Sequence, residues 1–270
     1  MKRCLTSCVL IACAALALLL IARTGTAATP GVPLLFMFIP AIACYLASQH
    51  AHAFAASLAI LFFAGQTVHT TPGRQLGIER SFFGINRVTE DSGTGFRYLY
   101  HGLTIHGIQS TQPALRRTAF SYYHDASPSG RVLSALRENP AARIGVVGLG
   151  AGSLAVYAAP GQTWTFFEID PVVARIAADP AQFTFLADMP APPRLVIGDA
   201  RLTLQREADG ALDLLVIDAF SSDAIPVHLI TREAFALYQQ KLRDGGALLC
   251  HVSNNHLDLE PIVGGIAADL

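Results

Sequence analysis

The stretch from Arg143 to Pro171 constrains this chain more than any other. Ile144 to Val147 is a short, β-branched apolar run, the pattern of a strand buried on both faces. It leads into Gly148-Leu-Gly-Ala-Gly152 and then into Leu154 to Ala159, an apolar run expected to be helical. Glycines at such a junction allow backbone angles that side chains forbid, and they let a ligand approach the bare main chain. The start of a helix adds unpaired N–H groups and a partial positive charge. Thr163 to Ile169 reads as the next strand, with Glu168 near its end. An acidic residue about twenty positions beyond the glycines is placed to accept hydrogen bonds from ribose hydroxyls. The glycines run G-x-G-x-G, and Ser153 stands where a dinucleotide fingerprint has its third glycine. That spacing favours the loop used for S-adenosyl compounds over one for NAD.

Composition matters chiefly for what precedes this stretch. The chain is 52% apolar, more than a water-soluble domain requires, so part of it is expected in a membrane. Cys4 to Ala22 is an uninterrupted apolar run behind Lys2 and Arg3, close to the roughly twenty residues that a bilayer core needs. Val32 to Ser48, which contains Pro33 and Pro40, and Ala53 to Gly65 follow it. A cleaved signal peptide is the alternative for the first run, since Ala27 and Ala28 are small. The later apolar segments favour an anchor of about three helices over residues 1–70. Its orientation stays open: Lys2 and Arg3 suggest a cytoplasmic N-terminus, which puts the remainder outside, whereas a cytosolic cofactor requires the reverse.

Other classes are disfavoured. A net charge of −1 gives no electrostatic reason for a nucleic-acid partner. Cys4, Cys8, Cys13 and Cys44 lie in apolar segments and Cys250 stands alone in an expected strand, so neither a disulfide framework nor a metal site is expected.

From about Ile78 the sequence becomes that of a folded domain. Ser81 to Thr89, Phe96 to Tyr100 and Leu103 to Ile108 read as a small antiparallel sheet over residues 78–125, with turns at Asp91-Ser-Gly and His101-Gly. Residues 129–270 then alternate helix and strand. A helix is expected from Ser129 to Glu138, another over Val172 to Ala178, and strands over Arg194 to Ile197, Leu212 to Ile217 and Ala247 to Val252. Arg201 to Glu207 and the segment capped by Thr231 and closed by Asp244-Gly-Gly246 read as further helices. This alternation specifies an α/β, Rossmann-like, doubly wound parallel sheet with its site at the strand C-termini. Glu168, Asp199 and Asp218 end such strands and should meet in one crevice, although Asp199 equally suits a helix cap. His251 and His256 either line that crevice or belong to a polar strand-end loop, and Trp164 is expected in the core.

Taken in order, these motifs resemble the spermidine synthase (polyamine aminopropyltransferase) family, and more closely its bacterial membrane-fused branch. The resemblance rests on Gly148-Leu-Gly-Ala-Gly152, Glu168-Ile-Asp170, Gly198-Asp-Ala200 and Asp218-Ala-Phe-Ser-Ser-Asp-Ala-Ile-Pro226, with His106-Gly-Ile-Gln109 and Tyr123-His124 upstream. It implies a sheet of the S-adenosylmethionine-dependent methyltransferase type and aminopropyl transfer from decarboxylated S-adenosylmethionine to a polyamine such as putrescine. It implies a bacterial inner-membrane location. Gly148, Gly150, Gly152, Glu168, Asp199 and Ala200 would hold the nucleoside. Asp218 would be catalytic, and Gln109, Tyr123, His124 and Asp223 would face the amine.

The chain departs from the family's pattern in three places. Ala151 stands where the family's loop usually has an acidic residue. The stretch from Asp218 to Pro226 is longer than the usual Asp-x-x-Asp-Pro. The chain reaches Leu270 just after the fifth expected strand, where the family's fold continues with further strands. Such an end would leave a sheet edge uncovered, so either the C-terminal strands are missing from a truncated product or a partner such as a second copy covers the edge. The alternatives are a methyltransferase using S-adenosylmethionine and a non-catalytic nucleoside-binding membrane protein.

Overall fold

The structure is a computed structural model that describes residues 73–220, 225–253 and 257–269, with scattered positions between 42 and 62. Internal contacts divide the chain into Met1–Thr71 and Pro72–Leu270. The first two expected membrane segments up to residue 41 lie outside the described residues, and the third is described only in part. Among the described residues no helix is long and apolar enough to cross a membrane.

The second unit contains two sheets among its described residues. The first is an antiparallel meander of β1 (Arg74–Arg80), β2 (Ile85–Asp91), β3 (Phe96–His101) and β4 (Thr104–Ser110). Two details differ from the sequence reading. Ser81 to Thr89 is not one strand: Ser81 N–H donates to Gly84 O at 2.8 Å, which closes a turn between β1 and β2. β1 itself escaped notice because it is a largely exposed edge strand with little apolar alternation.

The second sheet is parallel, in the order β7–β6–β5–β8–β9. Its strands are β5 (Arg143–Val147), β6 (Thr163–Glu168), β7 (Arg194–Ile197), β8 (Leu212–Ile217) and β9 (Leu242–Cys250). Helices α1 (Pro128–Leu136), α2 (Pro171–Ala178), α3 (Ala200–Leu204), α4 (Arg232–Lys241) and α5 (Glu260–Asp269) connect or follow them. The α/β, doubly wound sheet read from the sequence is therefore the fold. Side chains alternate between its faces. Ile144, Val146, Phe166, Leu214 and Val216 join α1, α2 and the meander's Val88 and Leu99 in one core. Val147, Phe167, Leu215 and Ile217 join α3 and α4 in the other.

Three local expectations need correction. The run after the glycines is not an α-helix but a short 3₁₀ turn, Ser153–Tyr157. The chain turns extended at Ala158, two residues before Pro160, which ends the run after five residues. Asp244-Gly-Gly does not close α4; the chain turns extended at Leu242 and these residues lie within β9. Beyond β9, Glu260–Asp269 form a helix, α5, to which the sequence reading assigned no element.

The meander packs tightly on the glycine loop. A Cβ added to Gly107 on β4 would lie 2.2 Å from the Ala151 Cβ. Gly107→Ala is therefore expected to lower the unfolding free energy by about 1–3 kcal/mol, the usual cost of overpacking. A urea midpoint equal to that of the wild type would show that the two layers are not tightly docked.

Candidate active site

The carboxyl ends of the parallel strands open into a cleft of about 530 Å³. Each end is placed by pairing that continues past the strand. Gly148 N–H donates to Phe167 O, Asp218 N–H to Val147 O, Gly198 N–H to Glu168 O and His251 N–H to Ile217 O. The order of the sheet reverses between β5 and β8, the usual place for a ligand in such a fold. Here the main chain leaves no room for side chains. Gly148 has φ +95°, and a Cβ there would lie 2.4 Å from Asp218 O; one on Gly150, at φ +53°, would lie 2.3 Å from His106 O.

Glu168 is 7% exposed and lines the cleft. Its Oε2 accepts from Leu149 N–H at 3.0 Å and its Oε1 from Asp170 N–H at 2.9 Å. Burial pushes its pKa up, and those backbone donors oppose the shift. Each oxygen keeps a second lone pair, so the carboxylate can still accept from a ligand hydroxyl. Asp170 does structural work: it caps α2 through Val172 N–H and ties in the meander through Ser81 Oγ at 2.6 Å and Asn86 Nδ2 at 3.0 Å. Asn86 is buried beside the cleft, and its Oδ1 has no hydrogen-bond partner. A donor on a bound ligand would satisfy it.

Asp199 does both things that the sequence allowed. Its Oδ1 caps α3 through Arg201 N–H at 2.8 Å and Leu202 N–H at 3.3 Å, while its Oδ2 lies 3.2 Å from His228 Nε2 in the cleft. Ala200 lines the cleft beside it.

Asp218 is the hub of a polar chain. Tyr123 Oη donates to its Oδ2 at 2.5 Å, and His251 Nδ1 lies 2.7 Å from its Oδ1. Ser253 Oγ meets His251 Nε2 at 2.5 Å. Tyr123 comes from the turn Ser121–Tyr123, where Ser121 holds a left-handed φ of 61°, and Tyr157 Oη donates to Tyr123 O at 2.5 Å. Burial foremost, with the Asp218 charge, holds the Tyr123 phenol protonated well above its ordinary range.

Not every residue singled out from the sequence reaches the cleft. Gln109 does not line it: its amide is taken by Thr184 N–H, Thr184 Oγ1 and Arg116 O, all at 3.0 Å, and so clamps two loops together. His124 does not line it either; its exposed ring sits against Asp125 at 2.7 Å. Gly152 has φ +85°, but it faces Leu186 rather than the cleft. Asp223 and His256 lie outside the described residues. His106 and Phe220, each inside a motif quoted from the sequence, line the cleft. Asn86 and His228 also line it without having been singled out, and nothing in their local sequence separates them from ordinary strand and loop residues. Trp164 is in the core, its Nε1 donating to Gln162 Oε1.

Gly148 and Gly150 at the reversal of the sheet, Glu168 at the end of β6 and an orphaned acceptor on Asn86 together suit a nucleoside. Known proteins agree on this fold. No protein-family model matches the chain. It is 34% identical over 114 residues to the polyamine aminopropyltransferase of Vibrio vulnificus (strain CMCP6), a match covering 40% of this chain and 37% of that protein. A spermidine synthase from Thermotoga maritima superimposes with a TM-score of 0.54 at 14% identity, over 73% of this chain and 64% of the other. The chain has the spermidine synthase fold. A second spermidine synthase, solved in complex with the transition state analogue AdoDATO, gives a TM-score of 0.53 at 14% identity over 73% and 63% of the two chains. This chain thus matches little more than a third of its curated relative and under two thirds of either spermidine synthase.

Proposed function

We propose that this chain is an aminopropyltransferase, moving an aminopropyl group from decarboxylated S-adenosylmethionine to a polyamine such as putrescine. The observation that carries this reading is the Asp218 carboxylate, held by Tyr123 in the same cleft as Glu168 and the glycine loop. A protonated amine cannot attack a sulfonium carbon. A buried carboxylate beside a phenol can draw in the ammonium, orient it and share in removing its proton. Glu168 and Asn86 would hold the ribose end of the donor, and Asp199 with Ala200 the adenine end. Incubating the purified chain with decarboxylated S-adenosylmethionine and putrescine should release methylthioadenosine and spermidine in equal amounts. No methylthioadenosine with any diamine would refute the reading.

Ala151 supports a second reading, methyl transfer from S-adenosylmethionine. It is fully buried against Gly107, so the glycine loop presents no carboxylate to a cationic donor tail. Supplying both donors to one preparation separates the two: the product nucleoside is methylthioadenosine in the first case and S-adenosylhomocysteine in the second.

We also propose that residues 1–70 anchor the chain in the bacterial inner membrane. The apolar runs of the sequence support this, as do Ile42, Tyr45, Phe54, Leu58 and Phe62, all exposed among the described residues. Full-length protein should stay in the membrane fraction through carbonate and high-salt washes, because burial of apolar surface is insensitive to both. Recovery in the wash supernatant would count against the anchor.

A further inference from the structure

The cleft contains a titratable ring that this reading of the reaction leaves unused. His251 follows directly on β9 and is held at both nitrogens, by Asp218 Oδ1 at 2.7 Å and by Ser253 Oγ at 2.5 Å. Its ring also lies 4.6 Å from the rings of both Tyr122 and Phe220. Because a carboxylate only accepts, Nδ1 carries a proton, and in the neutral ring Nε2 carries the lone pair. The Ser253 hydroxyl meets that lone pair, and an ammonium N–H could take its place. Both oxygens of Asp218 already accept hydrogen bonds, from Tyr123 and from His251.

We propose that His251 is the catalytic proton acceptor for the incoming amine, with Asp218 fixing its tautomer and Tyr123 fixing Asp218. The inference rests on the transfer reading above. The amine arrives as an ammonium and gives one proton to His251 Nε2. Its freed lone pair forms the new C–N bond as the C–S bond breaks and its electron pair returns to sulfur. A secondary ammonium and a neutral thioether remain, and the imidazolium passes its proton to water. A proton on Nε2 puts the positive charge between the Asp218 carboxylate and two aromatic rings, an arrangement that stabilises cations.

The groups facing the ring are Asp218 at the end of β8 and Tyr122 and Tyr123 from the turn before α1; Cys250, Asp258 and Glu260 line the adjoining cavity. Burial pushes both phenols above their ordinary range and the Cys250 thiol up to about 12.

The test is the pH profile of kcat/KM for the amine at saturating donor nucleoside, where Glu168 adds no limb, for the wild type and for His251→Gln, with nucleoside binding measured by calorimetry on both. Glutamine keeps an N–H for Asp218 but has no titrating nitrogen. The variant should bind the nucleoside normally, lose the acidic limb of the profile and turn over about a hundredfold or more slowly, the scale of a positioned general base. His251→Ala should regain part of its rate when imidazole is added. An unchanged acidic limb in His251→Gln, whatever its rate, overturns the role. So does His251→Ala that binds nucleoside normally yet gains nothing from imidazole. A wild-type chain that binds nucleoside and transfers nothing overturns the transfer reading itself, and the proposal falls with it.

Discussion

Asp218→Asn is expected to leave nucleoside binding intact and to lower turnover about a hundredfold or more, the cost of losing a positioned acid–base group. The side chain ends β8, a strand buried at every position, and is itself 7% exposed, so little water can stand in for the missing charge. Asparagine has nearly the same shape, which separates charge from packing. An amide cannot serve both Tyr123 Oη and His251 Nδ1–H as acceptor at two oxygens; its NH2 would face one of them, so either the phenol accepts where it had donated or the His251 ring changes its tautomer or turns. Attraction for a cationic acceptor falls as well. Single-turnover kinetics alongside calorimetric titration would test this. Near-normal turnover in Asp218→Asn would move the catalytic role elsewhere, and Asp223→Asn would then be the variant to make.

The parts legible in the sequence were those where local physics leaves few choices. Ile144 to Val147 running into Gly148 could only be a buried strand meeting a tight turn, and Gly148 and Gly150 do lie where main chain presses on main chain. Strand ends were readable for the same reason, since Leu214 to Ile217 is apolar on both faces and the first polar residue after it is Asp218. What a side chain does after leaving its strand was not readable. Gln109 and Tyr123 looked equally suited to an amine. The amide of Gln109 is taken up by Thr184, whose 75-residue separation no local pattern reveals. The Asp218–His251 contact spans 33 residues and depends on β8 and β9 being neighbours. Short polar segments after strands look alike until the strand order is known.

Glu168→Ala is expected to weaken nucleoside binding roughly ten- to a hundredfold, since a hydrogen bond to a charged group contributes about 1.5–3 kcal/mol and about 1.4 kcal/mol is a factor of ten. The loss has two sources. A ribose would forfeit the carboxylate, and Leu149 N–H would forfeit the acceptor that holds the glycine loop in place. The pH dependence of the wild type follows from the raised pKa of this group. The charged form is the acceptor, so affinity should fall as pH drops through that raised value, at higher pH than for an ordinary glutamate. For the empty protein the sign is opposite. A carboxyl whose folded-state pKa exceeds its unfolded value contributes stability only where it is protonated, fully below the unfolded value, and loses that contribution as pH rises through the folded one. Bound nucleoside should offset that loss near neutral pH, so the shift in melting temperature on adding methylthioadenosine should be larger at pH 8 than at pH 5. An equal shift at both values, or unchanged affinity in a folded Glu168→Ala variant, would remove Glu168 from the nucleoside site.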